Sequence, residues 1–485
     1  MRLKGRKKIV SGFRSDDLRN IENVVKMLNA TGPIHMTNKI EIDYLVNYKN
    51  GIQPVLQKTK VVRDEINHQV VINHAQMVTR SIIGYFLGTP IQYIQNGGAD
   101  KKEQIDQLNA WVSFEDKASV DKEIGEYQSI CGTAYRIIYS DEGVFSDEVP
   151  FEDKALNPSN TYVVYENTIA EKPLAGVHYY GILDDKGNPD GLHIHVYTDF
   201  GKYEIIAKGS FGSMDYGVDY TFNPYFVGGV PIVEYPNNMW RIGDWELCIG
   251  LMDAISDLHS GRMDDIDQIV QSLIVFINGD IDAERYEEMR ELGVISLKNM
   301  TGNQSSVETI SNPLDQSGMN MFAGELEDIL YALIGIPSRN NRSGGGGDTG
   351  QAVELRDGWA DLEIVARNKE LEFKKAEKQT LKIILKMLEN TKAFNLSLLD
   401  VDIKFSRNKN NNLLVKSQSY STLLATKTLS PADCLTIVDL VSDVNEYITR
   451  GESFWGEMFA GKSESKSEPL ELEPGLVKDG QNISE

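Results

Sequence analysis

From Arg63 onward apolar side chains recur every three or four positions, at Ile66, Val70, Met77, Ile82 and Phe86, with Asn73 in the same series. That period predicts a helix, stopped by Gly88 and Pro90. Shorter helical patterns follow at 101–113 and 116–131. The pattern then changes to "AYRIIYS" (134–140), "TYVVYEN" (161–167), "AGVHYYGIL" (175–183), "LHIHVYT" (192–198) and "YEIIAKG" (203–209). These runs are rich in β-branched and aromatic residues and are separated by Asn, Asp, Gly and Pro, which predicts an antiparallel sheet. "NPYFVGGVPIVEYPNN" (223–238) closes that region.

The helical period returns at 244–271. Leu247, Leu251, Ala254, Leu258, Met263, Ile266 and Ile269 make one apolar stripe. Asp244, Glu246, Asp253, Asp257, Asp264, Asp265 and Asp267 make an acidic face opposed by Arg262 alone, read as solvated. At 1.5 Å per residue such a helix spans on the order of 40 Å. A strand, a short acidic helix near 282–292 and a second strand follow, then a helix at 315–335. The longest helix is predicted over 349–390, with Leu362, Ala366, Phe373, Ala376, Ile384 and Leu388 on its apolar side. Beyond it come a strand in "VDIKFS", an Asn-rich turn and helices, one capped by Ser430 with Pro431 at its first position. Residues 1–35 read as a basic polar arm, and 461–485 as a disordered tail.

The 485 residues carry a formal charge of −23, which disfavours tight wrapping of nucleic acid but permits passing contact. Three scattered cysteines form no CxxC, so neither a disulfide framework nor a zinc ribbon is expected. The basic N-terminus has no apolar core of a secretory signal, and no run is apolar enough to span a membrane.

Between two of the predicted helices lies "IPSRNNRSGGGGDTGQAVELRDGW" (336–359). A phosphate cradle would need Lys and Ser or Thr after Gly350, where Gln351 and Ala352 stand. An aspartic-protease dyad would need a second carboxylate beside Asp348; Asp348 and Thr349 suit a helix N-cap better. A loose loop with point contacts from Arg339 and Arg342, or a plain solvated connector, remain. His193 and His195 put two imidazoles on one strand face, with no third ligand evident nearby, so no metal and no cofactor is expected. None of the catalytic motifs sought is present.

The order of elements resembles the SPP1-like family of tailed-bacteriophage portal proteins. The likeness rests on "INHAQMVTRSIIGYFLGTPIQY", on "GGVPIVEYPNNMWRIGDWELCIGLMDAISDLHSGRMDDIDQI", on "IGIPSRNNRSGGGGDTGQAVELR" and on the following helix with "NKELEF". Thr349-Gly350-Gln351 departs from the family's Ser-Gly pair, and 395–485 matches loosely. The resemblance implies an α+β portal fold: a wing at 36–243, stem helices at 244–271 and 315–336, and a small α/β clip at 272–314. It further implies a tunnel loop at 337–348, a long wing helix and sheet return at 349–412, and a helical crown at 413–460. It implies a non-enzymatic homododecameric ring at a capsid vertex, through which double-stranded DNA is packaged and ejected, assembled in the host cytoplasm. Its partners would be the terminase large subunit, the major capsid and scaffolding proteins and a head-completion adaptor, with no membrane. Arg339, Asn340, Asn341, Arg342, Ser343, Gly344, Gly345, Gly346, Gly347 and Asp348 would meet DNA. Asp282, Glu284, Arg285, Glu287, Glu288 and Glu291 would meet terminase or adaptor, and Asp253, Asp257, Asp264 and Asp265 would face the channel. Alternatives are another virion ring or capsid-associated protein, or a cytosolic nucleotide-dependent enzyme using the glycine loop.

Overall fold

The structure, a computed structural model, describes residues 5–61, 64–96, 101–140, 149–183, 187, 189–208, 210–214, 219–270, 273–277, 306–310, 316–337, 359–392, 394–407, 413–438 and 440–441, with 447–448, 450–451 and 453–454. It mixes helix and sheet. The contacts divide it into two units, residues 1–409 and 410–485.

The first unit begins with a departure from expectation. Residues 5–49 are not an arm. Strand β1 (Ile9–Ser11) pairs in parallel with β5 (Thr161–Glu166), and α1 (Ile21–Lys49) follows. Asn20 caps α1 by accepting from the Glu22 amide. Pro33 lies inside α1 and removes one backbone hydrogen bond, a cost of about 3 kcal/mol. Burial on both sides offsets it: Val24, Val25, Met27 and Leu28 pack into one core, and Ile42, Leu45 and Tyr48 into another. Basic residues hid this from the charge pattern, yet Arg6 is 3% exposed because Glu246 and Glu41 face it.

The first core lies between α1 and a six-stranded sheet in the order β1-β5-β6-β7-β8-β9, with β6 (Pro173–Leu183), β7 (Pro189–Tyr197), β8 (Gly201–Ala207) and β9 (Asp219–Pro224). All pairings after β1 are antiparallel. A second sheet runs β10 (Ile232–Pro236), β3 (Thr133–Tyr139), β4 (Glu152–Leu156). It packs with α2 (His74–Phe86), α3 (Lys102–Phe114), α4 (Lys117–Cys131) and the long α7 (Trp359–Lys392) around the second core. The expected stripe of α7 is buried at Leu362, Ala366, Phe373, Ala376, Ile384 and Leu388. Strand β2 (Gln92–Gln95) pairs with β13 (Val401–Lys404), which brings the distant chain end back onto this core.

A second departure concerns 64–73. That stretch is not helical: α2 starts at His74, with the Asn73 side chain accepting from the Gln76 amide. Residues 58–61 and 64–72 instead run along α5 (Ile249–Val270). Helix α5 packs on α6 (Gln316–Ile334), and β11 (Leu273–Ile277) pairs with β12 (Ser306–Ile310) between them in sequence. The expected helix at 282–292 lies outside the described residues.

The second unit holds α8 (Leu413–Ala425) and α9 (Pro431–Val438), which pack together, with Cys434 buried. Ser430 caps α9: its hydroxyl accepts from the Asp433 amide at 3.1 Å, and Asp433 accepts from the Ser430 amide at 3.2 Å. Among the described residues no helix is long and apolar enough to cross a membrane.

Candidate functional site: the paired helices and their footing

The residues expected to touch DNA, Arg339 to Asp348, lie outside the described residues, as do Asp282, Glu284, Arg285, Glu287, Glu288 and Glu291. What the structure describes is the α5–α6 pair that carries both segments, and how it is fixed to the rest of the fold.

Helix α5 buries a different face from the one its pattern predicts. Met252, Ile255, Ser256, Ser260 and Asp264 are buried, whereas Leu247 is 81% exposed and Met263 and Ile266 are also exposed. The polar members of the buried face are satisfied by the strap of residues 58–61 and 64–72. The Val70 and Ile72 amides donate to Ser260 Oγ (2.9 Å) and Ser256 Oγ (3.4 Å). Asp264 receives the His68 amide at 2.7 Å and the Lys58 and Lys60 ammonium groups at 2.8 Å each. Burial opposes the charge on Asp264, but these donors outweigh it and hold the carboxyl well below its usual range. Asp264, expected among the channel-facing acids, is buried and fully partnered here as an internal anchor. Asp253 accepts from the Tyr48 hydroxyl at 2.8 Å, and burial raises its carboxyl despite that bond. Asp257 is exposed and Asp265 half-buried.

The footing of α5 is the stretch "PNNMWRIGDWE" (236–246). Asp244 and Glu246 were expected on a solvated face; both are instead paired inside the fold. Lys369 of α7 reaches Asp244 (2.9 and 3.0 Å) and Asn237. Glu246 takes Arg6 and the Gly243 amide; burial raises its carboxyl, against the pull of Arg6. Trp245 is fully buried, stacks on Tyr48 at 5.6 Å between ring centroids, and donates to Thr79 at 3.0 Å. Arg241 sits in the left-handed region at φ 55°, held by a two-pronged pair with Glu234 (2.6 and 3.0 Å). Its carbonyl lies against Gly132, which ends α4 at φ 74°; a side chain there would collide with it.

Beneath this footing α7 is bolted to the second sheet by buried charges. Arg136 of β3 meets Asp121, Asp153 (3.4 Å) and Glu377 (3.0 Å), and Lys117 meets Asp121 (2.7 Å) and Glu377 (2.9 Å). Tyr93 and Tyr235 also donate to Glu377. Three carboxylates face two cations, and burial pushes Asp153 up to about 6 against Arg136.

Sequence reasoning left His193 and His195 without a third partner. The fold supplies one: their ligand atoms and that of Glu204, on the next strand, lie within 4.8 Å of one another.

With the geometry established, comparison with known proteins adds the following. The family described as "Phage portal protein, SPP1 Gp6-like" matches residues 32–453. The portal protein of Clostridium phage phiCD119 is 21% identical over 367 residues, covering 72% of this chain and 79% of the relative. The portal protein of Bacillus phage SPP1 is 23% identical over 280 residues, covering 56% of this chain and 53% of the relative. A chain from the neck of an empty GTA particle computed with C6 symmetry aligns at 10% identity with a TM-score of 0.42, covering 76% of this chain and 90% of that one.

Proposed function

This chain belongs to the SPP1-like family of phage portal proteins, and from that premise we propose that twelve copies close into a ring at one capsid vertex and form the conduit for double-stranded DNA during packaging and ejection. The observation that carries the reading is the uncovered apolar surface of the helix pair. Leu247 in the turn before α5, Met263 and Ile266 on α5, and Met321, Phe322, Ile329 and Leu333 on α6 are exposed, Met321 at 75%. Large apolar side chains gathered on two neighbouring helices call for a covering surface. A closed ring supplies one by placing the helix pairs of neighbouring copies side by side.

In this reading α5 and α6 are the stem, the segment between them is the clip that meets terminase and later the adaptor, and 337–348 is the tunnel loop. Asp257 and Asp265, repeated by symmetry, make rings of negative charge that repel the phosphates and keep DNA sliding. Arg339 and Arg342 on the glycine-loosened loop follow the duplex through brief phosphate contacts. The role is mechanical and uses no cofactor; the packaging motor supplies the energy.

Electron microscopy of the purified full chain tests this. Twelve-fold rings with a central hole are expected, and a population holding only monomers or hexamers would reject the proposal. Removing Gly344 to Gly347 is expected to leave ring assembly intact and to depress DNA packaging; normal packaging by such rings would remove the loop from the mechanism.

A further inference from the structure

The outer sheet carries a histidine cluster that the portal reading does not use. His193 and His195 alternate onto one face of β7. In register, His195 stands opposite Glu204 of β8 and His178 of β6, and His193 opposite Tyr180 of β6. The two imidazole centroids are 4.5 Å apart. His195 Nδ1 is buried, has no hydrogen-bond partner, and lies 3.9 Å from Glu204 Oε1. An orphaned buried nitrogen aimed at a carboxylate just beyond hydrogen-bond reach is a gap that a bridging cation fills. Ligand atoms about 2.1 Å from a tetrahedral ion stand about 3.4 Å apart. The observed spacing is thus close to that of a coordinated set.

We propose that His193, His195 and Glu204 bind a divalent transition-metal ion of the zinc class. Two imidazoles and one carboxylate suit zinc, cobalt or nickel, whereas calcium and magnesium prefer all-oxygen sets. The Tyr180 hydroxyl meets His193 Nδ1, an outer-shell hydrogen bond of the kind that orients metal-bound imidazoles. Because the ligands come from two neighbouring strands, the ion ties β7 to β8. Three protein ligands leave a fourth position for water. Lys202 lies 2.5 Å from Glu204 Oε1, so the ion competes with an ammonium for that carboxylate.

Zinc titration of the full chain by calorimetry, with cobalt absorption as a second readout, tests the site. One ion per chain is expected, with the intense visible bands of four-coordinate cobalt. The paired change His193→Ala with His195→Ala is expected to abolish that ion. Glu204→Gln, which keeps the side chain's shape, is expected to weaken it by more than the roughly 10–100-fold cost of losing an outer-shell partner. Lys202→Met is expected to tighten it, an effect that a merely disturbed sheet would not produce. No zinc binding by the parent chain, an unchanged stoichiometry in the double histidine variant, or weaker binding in Lys202→Met would overturn the assignment.

Discussion

Among the described residues, burial acts on single side chains against the charged form, and a charged partner sets how far it prevails. At His35 burial prevails. It lies in the first core, stacked on Tyr162 at 4.5 Å, with Nε2 3.2 Å from the Ser159 carbonyl. Burial lowers it from 6.5 to about 4, against that hydrogen bond. The sign follows directly. The unfolded chain takes up this proton below pH 6.5 and the folded chain only near pH 4, so the stability is fully present above 6.5 and is lost as pH falls between those values. The difference is about 2 kcal/mol by pH 5 and about 3 kcal/mol below pH 4. Urea midpoints at pH 7 and pH 5 are expected to lie closer together in His35→Gln than in the parent chain; an unchanged gap would show that His35 does not titrate this way. A histidine on a helix with Pro33 two residues before it gives no hint in sequence of this burial, because the aromatic partners Tyr162 and Tyr179 lie more than a hundred residues away.

At the scale of elements, α5 explains both what the pattern of residues reveals and what it conceals. Periodicity located α3, α4, α5, α6 and most strands of the large sheet to within a few residues, since those elements bury one face against side chains and alternate accordingly. It chose the wrong face of α5, because the neighbour there is a backbone. An extended strap needs acceptors for its amides, so Ser256, Ser260 and Asp264 point inward, while Met263 and Ile266 point out. For the same reason the apolar series from Ile66 to Phe86 mimicked one helix although its first third is that strap. Strands β1, β2 and β4 are too short or too polar to announce themselves, and each depends on a distant partner or on a polar edge, whereas β13 is legible in "VDIKFS". The expectations about DNA and terminase contact rest on resemblance alone, for glycine-rich and acidic text carries no period to read, and those residues lie outside the described ones. Asp264→Asn is expected to cost about 2–3 kcal/mol, the value of charged hydrogen bonds lost at a buried acceptor. Hydrogen exchange at His68, Val70 and Ile72 should speed up while α7 stays protected; uniform loosening instead would mean that Asp264 supports the whole unit.

The molecule as a whole is left unfinished along α5 and α6. Ring closure is the proposed remedy, and it makes a specific demand on the exposed side chains. Phe322→Lys combined with Leu333→Lys should give monomers by light scattering, with circular dichroism unchanged, because neither residue is buried within its own chain. Rings that persist in this variant would place the subunit contact elsewhere. The threading of the N-terminal residues has a consequence of another kind. Arg6 meets Glu246, 240 positions later, and β1 meets its neighbour β5 only at Val164 to Glu166. At about 5–20 residues per second, the ribosome takes roughly 10–50 s to deliver the partner after the arginine has emerged. Until then Arg6 can pair with Glu41 but not with Glu246. Because Glu246 directly precedes α5, the bolt is on hand before the sticky helix pair has been made, so the root of α5 is anchored before that surface can engage neighbours on the same polysome.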